Sequence, residues 1–93
     1  MKMNDYNARI AQDVLDAIDG FEAGAISLEY VHGVLARSVS LFENDDSGIA
    51  AAVSLAEVAL EEIEFTVLLE EQRSEAIRRL RKLRQDIVGA PSG

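Results

Sequence analysis

The stretch DGFEAGAISLEYVHGVLA, residues 19–36, decides the fold of this chain, because turn-forming residues here join two amphipathic segments. Gly20 and Gly24 supply the positive φ angles that end a helix. Ser27 is a favoured N-cap residue, and Ile26 and Val31 stand at the positions of a hydrophobic staple around it. The pattern predicts an αα-hairpin in which glycines end the first helix and Ser27 begins the second.

Apolar residues recur every three or four positions on both sides of this turn, as they do along one face of a helix. In the first helix, capped by Asn4 or Asp5, this face comprises Tyr6, Ile10, Val14, Ala17, Ile18 and Phe21. In the second it comprises Leu28, Val31, Leu35, Val39 and Phe42. Gly33 weakens the middle of the second helix. We therefore expect it to mark the close approach of another helix, packed through Ala50–Ala52.

The remainder of the chain is helical in pattern and follows a predicted turn at residues 44–48. Its first part is apolar on several sides, which is typical of a central or interface helix. The face predicted to be buried there comprises Ala52, Leu55, Ala56, Ala59, Ile63 and Val67, with Thr66 as a further candidate. A break near Arg73, with Ser74 as N-cap, gives two helices, whereas an unbroken helix to Val88 is about 60 Å long. Both alternatives are open.

Together these patterns predict an all-α protein, a three- or four-helix bundle built on the N-terminal αα-hairpin. The size is that of a single domain, which we place at residues 1–89, with a flexible tail at 90–93. The chain has no cysteine and no apolar run of the roughly 20 residues that a membrane span needs. Its first residues lack the apolar core of a secretory signal. We expect a cytoplasmic protein that does not bind membranes.

Charge is distributed unevenly along the chain, whose net charge is −8. Residues 1–70 carry three basic and fourteen acidic residues, whereas residues 71–93 carry six basic and three acidic ones. An acidic body repels phosphate backbones, so the Arg-rich segment 73–84 does not indicate nucleic-acid binding. Glu75 precedes Arg78 and Arg79 at the spacing of intrahelical ion pairs. The charge favours a basic protein partner.

The chain contains one histidine, His32, which forms an E-x-x-H motif with Glu29. Di-iron bundles use this motif twice, with two further glutamates. Glu57, Glu61 and Glu64 are the residues from which such carboxylates would come. A single copy of the motif is a weak signal, and the position lies at the edge of the buried stripe. We therefore expect an incidental histidine and no metal site.

Motifs typical of enzymes do not occur in this sequence. It has no G-x-S-x-G, no G-K-[ST] and no Cys/His pair. Asp13 with Asp16, and Glu57 with Glu61, have the spacing of neighbouring carboxylates on a helix, but solvated acids at this spacing are common in acidic chains. We expect a protein that is not an enzyme, with no catalytic residues and no cofactor.

The segment LDAIDGFEAGAISLEYVHGVLARSVSLF, Leu15–Phe42, resembles small bacterial helical proteins with an xAGxIS turn between two helices. LAEVALEEIEF, Leu55–Phe65, resembles their glutamate-rich third helix. Some families of this build are immunity proteins, which bind and silence a toxin, and many members have no assigned role. The chain departs from them in lacking a tryptophan in this helix and a loop before the last one.

The resemblance and the charge together lead to two functional hypotheses. In the first, the chain is an immunity- or antitoxin-like inhibitor whose acidic surface occupies the basic cleft of a toxin. The residues expected to bind that partner are Asp13, Asp16, Asp19, Glu57, Glu61 and Glu64. In the second, the chain is a homodimeric structural or regulatory protein. The residues expected at the dimer interface are Val58, Phe65, Leu69, Leu80 and Leu83.

Overall fold

The computed structural model describes residues 5–42 and 47–90 and confirms the all-α fold class. Its four helices are α1 (Asp5–Glu22), α2 (Leu28–Val39), α3 (Ile49–Thr66) and α4 (Leu69–Val88). Each of α1 and α3 packs against both α2 and α4, so α1 and α3 occupy opposite corners of a four-helix bundle. The molecule measures 41 × 22 × 20 Å. Asn4 and most of the predicted turn at 44–48 lie outside the described residues.

The core is formed by one apolar stripe from each helix, which the three-to-four spacing places on a single face. The largest apolar side chains that are fully buried are Val14 and Ile18 of α1, Val31 and Leu35 of α2, Ile49, Val53 and Leu60 of α3, and Leu80 and Leu83 of α4. Ala90 also packs against the core as a partly buried residue.

The turn between α1 and α2 has the predicted cap but a different helix end. Ser27 Oγ accepts a hydrogen bond from the Tyr30 amide at 3.0 Å, which confirms the N-cap. Gly24 has a φ of +80°, as predicted, whereas Gly20 lies inside α1. The prediction that Gly20 ends the helix is therefore wrong. A Cβ atom added at Gly20 would meet only Ile26, at an ordinary contact distance of 3.6 Å, so the position does not require glycine.

The expected close helix contact at Gly33 is also wrong. A Cβ atom added to Gly33 would have no neighbour within 4 Å, and the residue is exposed. The buried stripe of α2 runs through Val31, Val34 and Leu35, so Gly33 lies on its outer side. The alanines 50–52 therefore do not pack against it.

Residues 49–88 form two helices that separate at Val67 and Leu68, not at Ser74. Both residues at the break are extended, with ψ angles of 139° and 141°. The Gln72 side-chain amide donates to the carbonyl oxygens of Val67 (3.0 Å) and Glu64 (3.3 Å). These carbonyls lie at the end of α3, where intrahelical donors are missing. A side chain of α4 therefore caps α3 and holds the corner without glycine or proline.

Replacing Gln72 by alanine is expected to lower the free energy of unfolding by about 1 kcal/mol, because two carbonyl groups lose a donor. Gln72→Glu is expected to cost more, since a carboxylate has no donor and its charge opposes the negative end of the helix dipole. Urea unfolding followed by circular dichroism measures both, with Gln85→Ala, at an exposed glutamine of α4, as control. Equal unfolding midpoints for all four proteins would exclude this capping role.

Candidate interaction surface

The outward side of α3 carries exposed apolar side chains along its length. Leu55 is 66% exposed and Phe65 81%, and Val58 is also exposed. With Ala51, which is exposed as well, they form what we call the α3 face: Ala51, Leu55, Val58 and Phe65. This face lies opposite the buried residues Val53, Ala56 and Leu60. The prediction that Leu55 is buried is wrong, because at about 100° per residue Leu55 lies about 160° around α3 from the buried Val53.

A histidine–glutamate cluster borders the α3 face on the side of α2. His32 Nδ1 lies 2.7 Å from Glu64 Oε1, and His32 Nε2 lies 3.5 Å from Glu57 Oε1. Because a carboxylate only accepts, the short contact places a ring proton on Nδ1. The His32 side chain is 19% exposed, so these contacts join α2 to α3 at the bundle surface.

His32 is therefore a structural link and does not pair with the glutamate of its own motif. Glu29 instead lines an open groove with Gly33 and Arg37 on the outer side of α2. Glu57 and Glu64 are seven residues apart, so they lie two turns apart on the same side of α3. This spacing is the sequence signal that a histidine of another helix could lie between the two carboxylates. Within the described ranges, no three metal-ligating side chains are grouped closely enough to hold an ion.

A groove between α3 and α4 borders the α3 face on the opposite side. It is lined by Ala59, Glu62, Ile63, Thr66 and Val67 of α3 and by Glu75, Arg78, Arg79 and Lys82 of α4. Arg78 pairs with Glu75, as the sequence spacing predicts, and Lys82 lies 3.4 Å from Asp86. Arg79 Nη1 is buried and has no hydrogen-bond partner among the described residues. This nitrogen is enclosed within the chain and is not accessible to an acceptor on a partner.

Other arginines of the segment 73–84 attach α4 to the acidic end of α1. Arg84 pairs with Asp19 and, at 3.4 Å, with Glu22, which also lies 3.4 Å from Arg81 Nε. Arg73 donates to the Glu22 carbonyl oxygen at 3.0 Å and lies over the Phe21 ring, 5.0 Å from its centroid. These cations of the segment stabilise the contact between the two helices.

The six acids expected to bind a basic partner do not form one surface. Asp13, Asp16 and Asp19 belong to α1 and the three glutamates to α3, at opposite corners of the bundle. Asp19 is paired with Arg84, and Glu57 and Glu64 are half-buried beside His32. Asp13, Asp16 and Glu61 are exposed. A single cleft on a partner protein can therefore contact the three aspartates of α1 or the three glutamates of α3, but not both sets.

The five residues expected at a dimer interface occupy three different places. Val58 and Phe65 belong to the α3 face. Leu69 is exposed at one end of the bundle, in a shallow pocket with Phe21, Ile26 and Leu28. Leu80 and Leu83 are 0% exposed within the single chain, so placing them at an interface is wrong. Leu80 and Leu83 belong to a narrow apolar stripe among the basic residues of α4. That stripe is the side of α4 that faces the core.

Comparisons of the chain with protein-family models, with curated proteins and with solved structures found no match. The similarity to immunity proteins stays a prediction. None of the four described helices combines the length and the apolar character that crossing a bilayer demands.

Proposed function

We propose that this chain is a protein-binding module whose binding surface is the α3 face. The observation that carries this proposal is the exposure of Leu55, Val58 and Phe65 along one helix. Apolar side chains that are exposed contiguously, with charged residues on both sides, are typical of surfaces that another protein covers. Aromatic residues are enriched at the centre of such surfaces, and Phe65 is the most exposed of the three.

Photo-crosslinking in living cells tests this function. A photoreactive phenylalanine analogue at position 65 is expected to give a discrete protein adduct on irradiation. The same analogue at position 88 is the matched control, because Val88 is equally apolar and 71% exposed but lies at the far end of α4. Adducts whose mass equals two copies of the chain, or one copy plus another protein, both support the function. The absence of any adduct specific to position 65 would refute it.

The inhibitor hypothesis is a particular form of this function, with the acidic surface of α1 as a second contact. Asp13 and Asp16 support it, since both are exposed and line a groove between α1 and α2. The photoreactive analogue at position 16 extends the same experiment. A basic toxin crosslinked at position 16 supports an immunity-like role, whereas adducts confined to position 65 count against it.

A further inference from the structure

The α3 face has the residue spacing of a helix that packs lengthwise against another helix. Ala51, Leu55, Val58 and Phe65 are separated by four, three and seven residues, a repeat of 3.5 on average. This repeat keeps one seam directed towards a partner helix along its whole length. All four residues are exposed in the single chain. An α-helix is therefore the structural element that fits this face.

Two exposed carboxylates lie within the same seam. Glu62 follows Val58 by four residues and precedes Phe65 by three, so it lies between them on the outward side of α3. Glu61 lies beside the same two residues, three after Val58 and four before Phe65. Neither carboxylate forms an ion pair with any residue that the structure describes. Both are therefore free to pair with a cation from outside the chain.

The position of Glu62 restricts the chemistry of the covering helix. A helix that covers Val58 and Phe65 also covers Glu62, because Glu62 lies between them. Removing a carboxylate from water is unfavourable unless a cation pairs with it. The covering helix therefore has to place a lysine or arginine opposite Glu62, within its own apolar stripe. A second base beside that stripe would pair with Glu61, as charges flanking a helix–helix seam do.

The charges around the α3 face favour a basic partner as well. The helix α3 contains four glutamates and no lysine or arginine. On the α4 side, Arg78 is paired with Glu75 and Lys82 with Asp86, so acids of the same helix match these two bases. Arg79 is the remaining base of the groove, and its Nη1 is enclosed in the chain. The glutamates of α3 therefore outnumber the bases next to them, which attracts a positively charged surface.

We infer that the α3 face binds an amphipathic, basic α-helix of another protein. The apolar stripe of that helix covers Val58 and Phe65, and its lysine or arginine residues pair with Glu61 and Glu62. The inference rests on the proposed function and names the chemistry of the partner. The α3 helix of a second copy lacks the required base: a parallel pair would set Glu62 against Glu62, and an antiparallel pair would cover Glu62 with a helix that has no cation.

A library of displayed helical peptides tests the chemistry of the partner. Each peptide carries leucine or isoleucine along one stripe, while one position within the stripe and those beside it encode either lysine or glutamate. Selection uses the full chain at about 0.15 M salt, where the screening length is about 8 Å. The ratio of lysine to glutamate within the stripe is expected to rise by about tenfold. An unchanged or lower ratio, or the absence of any binding peptide, would overturn the inference.

Charge-matched variants test the contact with Glu61 and Glu62, using the tightest selected peptide. Replacing both by glutamine removes two charges and is expected to weaken binding by about tenfold or more in fluorescence anisotropy. Asp13→Asn with Asp16→Asn removes two charges from α1, at the opposite corner of the bundle. This control is expected to change binding by less than about twofold, because salt screens distant charges. Equal effects of the two double variants would overturn the contact.

Truncation of exposed apolar residues tests the location of the peptide. Phe65→Ala is expected to weaken its binding by about tenfold or more, because aromatic residues at the centre of an interface contribute most of its affinity. Val88→Ala is the control, since Val88 is also exposed but lies at the far end of α4. Circular dichroism confirms that both variants are folded. Equal affinities of the two variants for the peptide would exclude the α3 face as its site.

The failure of this inference is distinguishable from the failure of the proposed function. Mass spectrometry of the adduct formed at position 65 identifies the crosslinked segment of the partner. A segment without lysine or arginine, or a second copy of the chain, would overturn the basic helix but leave the chain a protein-binding module. If position 65 gave no specific adduct, both would fail.

Discussion

Replacing Leu80 by alanine is expected to lower the free energy of unfolding by about 2–5 kcal/mol. Leu80 is fully buried in the core that all four helices share. Its loss removes apolar contacts and leaves a cavity that rigid neighbours fill incompletely. A chain of this length has a total stability of about 5–14 kcal/mol. Thermal unfolding should therefore shift by about 10 °C or more.

Leu69→Ala provides the matched control, with the same chemical change on the same helix. Leu69 is 81% exposed, and its truncation is expected to change stability by less than about 0.5 kcal/mol. The comparison separates a core residue from a surface residue without assuming any partner. If Leu80→Ala retained wild-type stability but lost self-association, Leu80 would belong to an interface and the packing of α4 would have to be revised.

Phe21→Ala is expected to have an effect of similar size, about 3–5 kcal/mol. The Phe21 ring is 2% exposed and packs near the end of the bundle where α1 leads into the turn. It also lies beneath the Arg73 guanidinium, whose attraction to the ring face is lost with it. Chemical unfolding measures the change, and a loss smaller than about 1 kcal/mol would contradict this packing.

Phe65→Ala is the corresponding control among the phenylalanines. Because Phe65 is 81% exposed on the α3 face, its replacement should leave the free energy of unfolding of a single chain nearly unchanged. If the α3 face pairs with a second copy of the chain, the same variant should lose the extra stability that dimerisation supplies by mass action. The stability of Phe65→Ala should thus depend less on protein concentration than that of the wild type, whereas Phe21→Ala keeps that dependence.

The sequence predicts the helices with polar outer faces better than it predicts α3. In α1, Asp13, Asp16 and Asp19 lie off the apolar stripe, and the three-to-four spacing identifies most of the buried residues from Ile10 to Phe21. It is wrong for Tyr6, which is exposed, and it misses the buried Asn7 and Ala11. In α3, apolar residues occur on nearly every side, and periodicity alone does not distinguish Leu55 from Val53. Whether Leu55 or Val53 is buried depends on where α2 and α4 pack against α3. The sequence within α3 does not contain that information.

The corner at Val67 and Leu68 illustrates a second limit. Sequence signals for helix ends are glycine, proline and N-cap residues, and residues 67–73, which contain this corner, include none of them. The break depends on Gln72, a residue with good helix propensity, whose side chain reaches back to α3. The His32–Glu64 contact depends in the same way on two residues 32 positions apart. Such tertiary hydrogen bonds are invisible to patterns of a few residues.

The placement of α1 and α3 at opposite corners has a consequence for valency. A partner bound to the α3 face leaves the exposed carboxylates of α1, Asp13 and Asp16, accessible on the other side of the bundle. Two chains joined through α3 would therefore carry two separate acidic edges on the outside of one particle. A target with two basic sites at a matching separation would engage both edges, and its apparent affinity would then depend on that separation as well as on the contacts at each site.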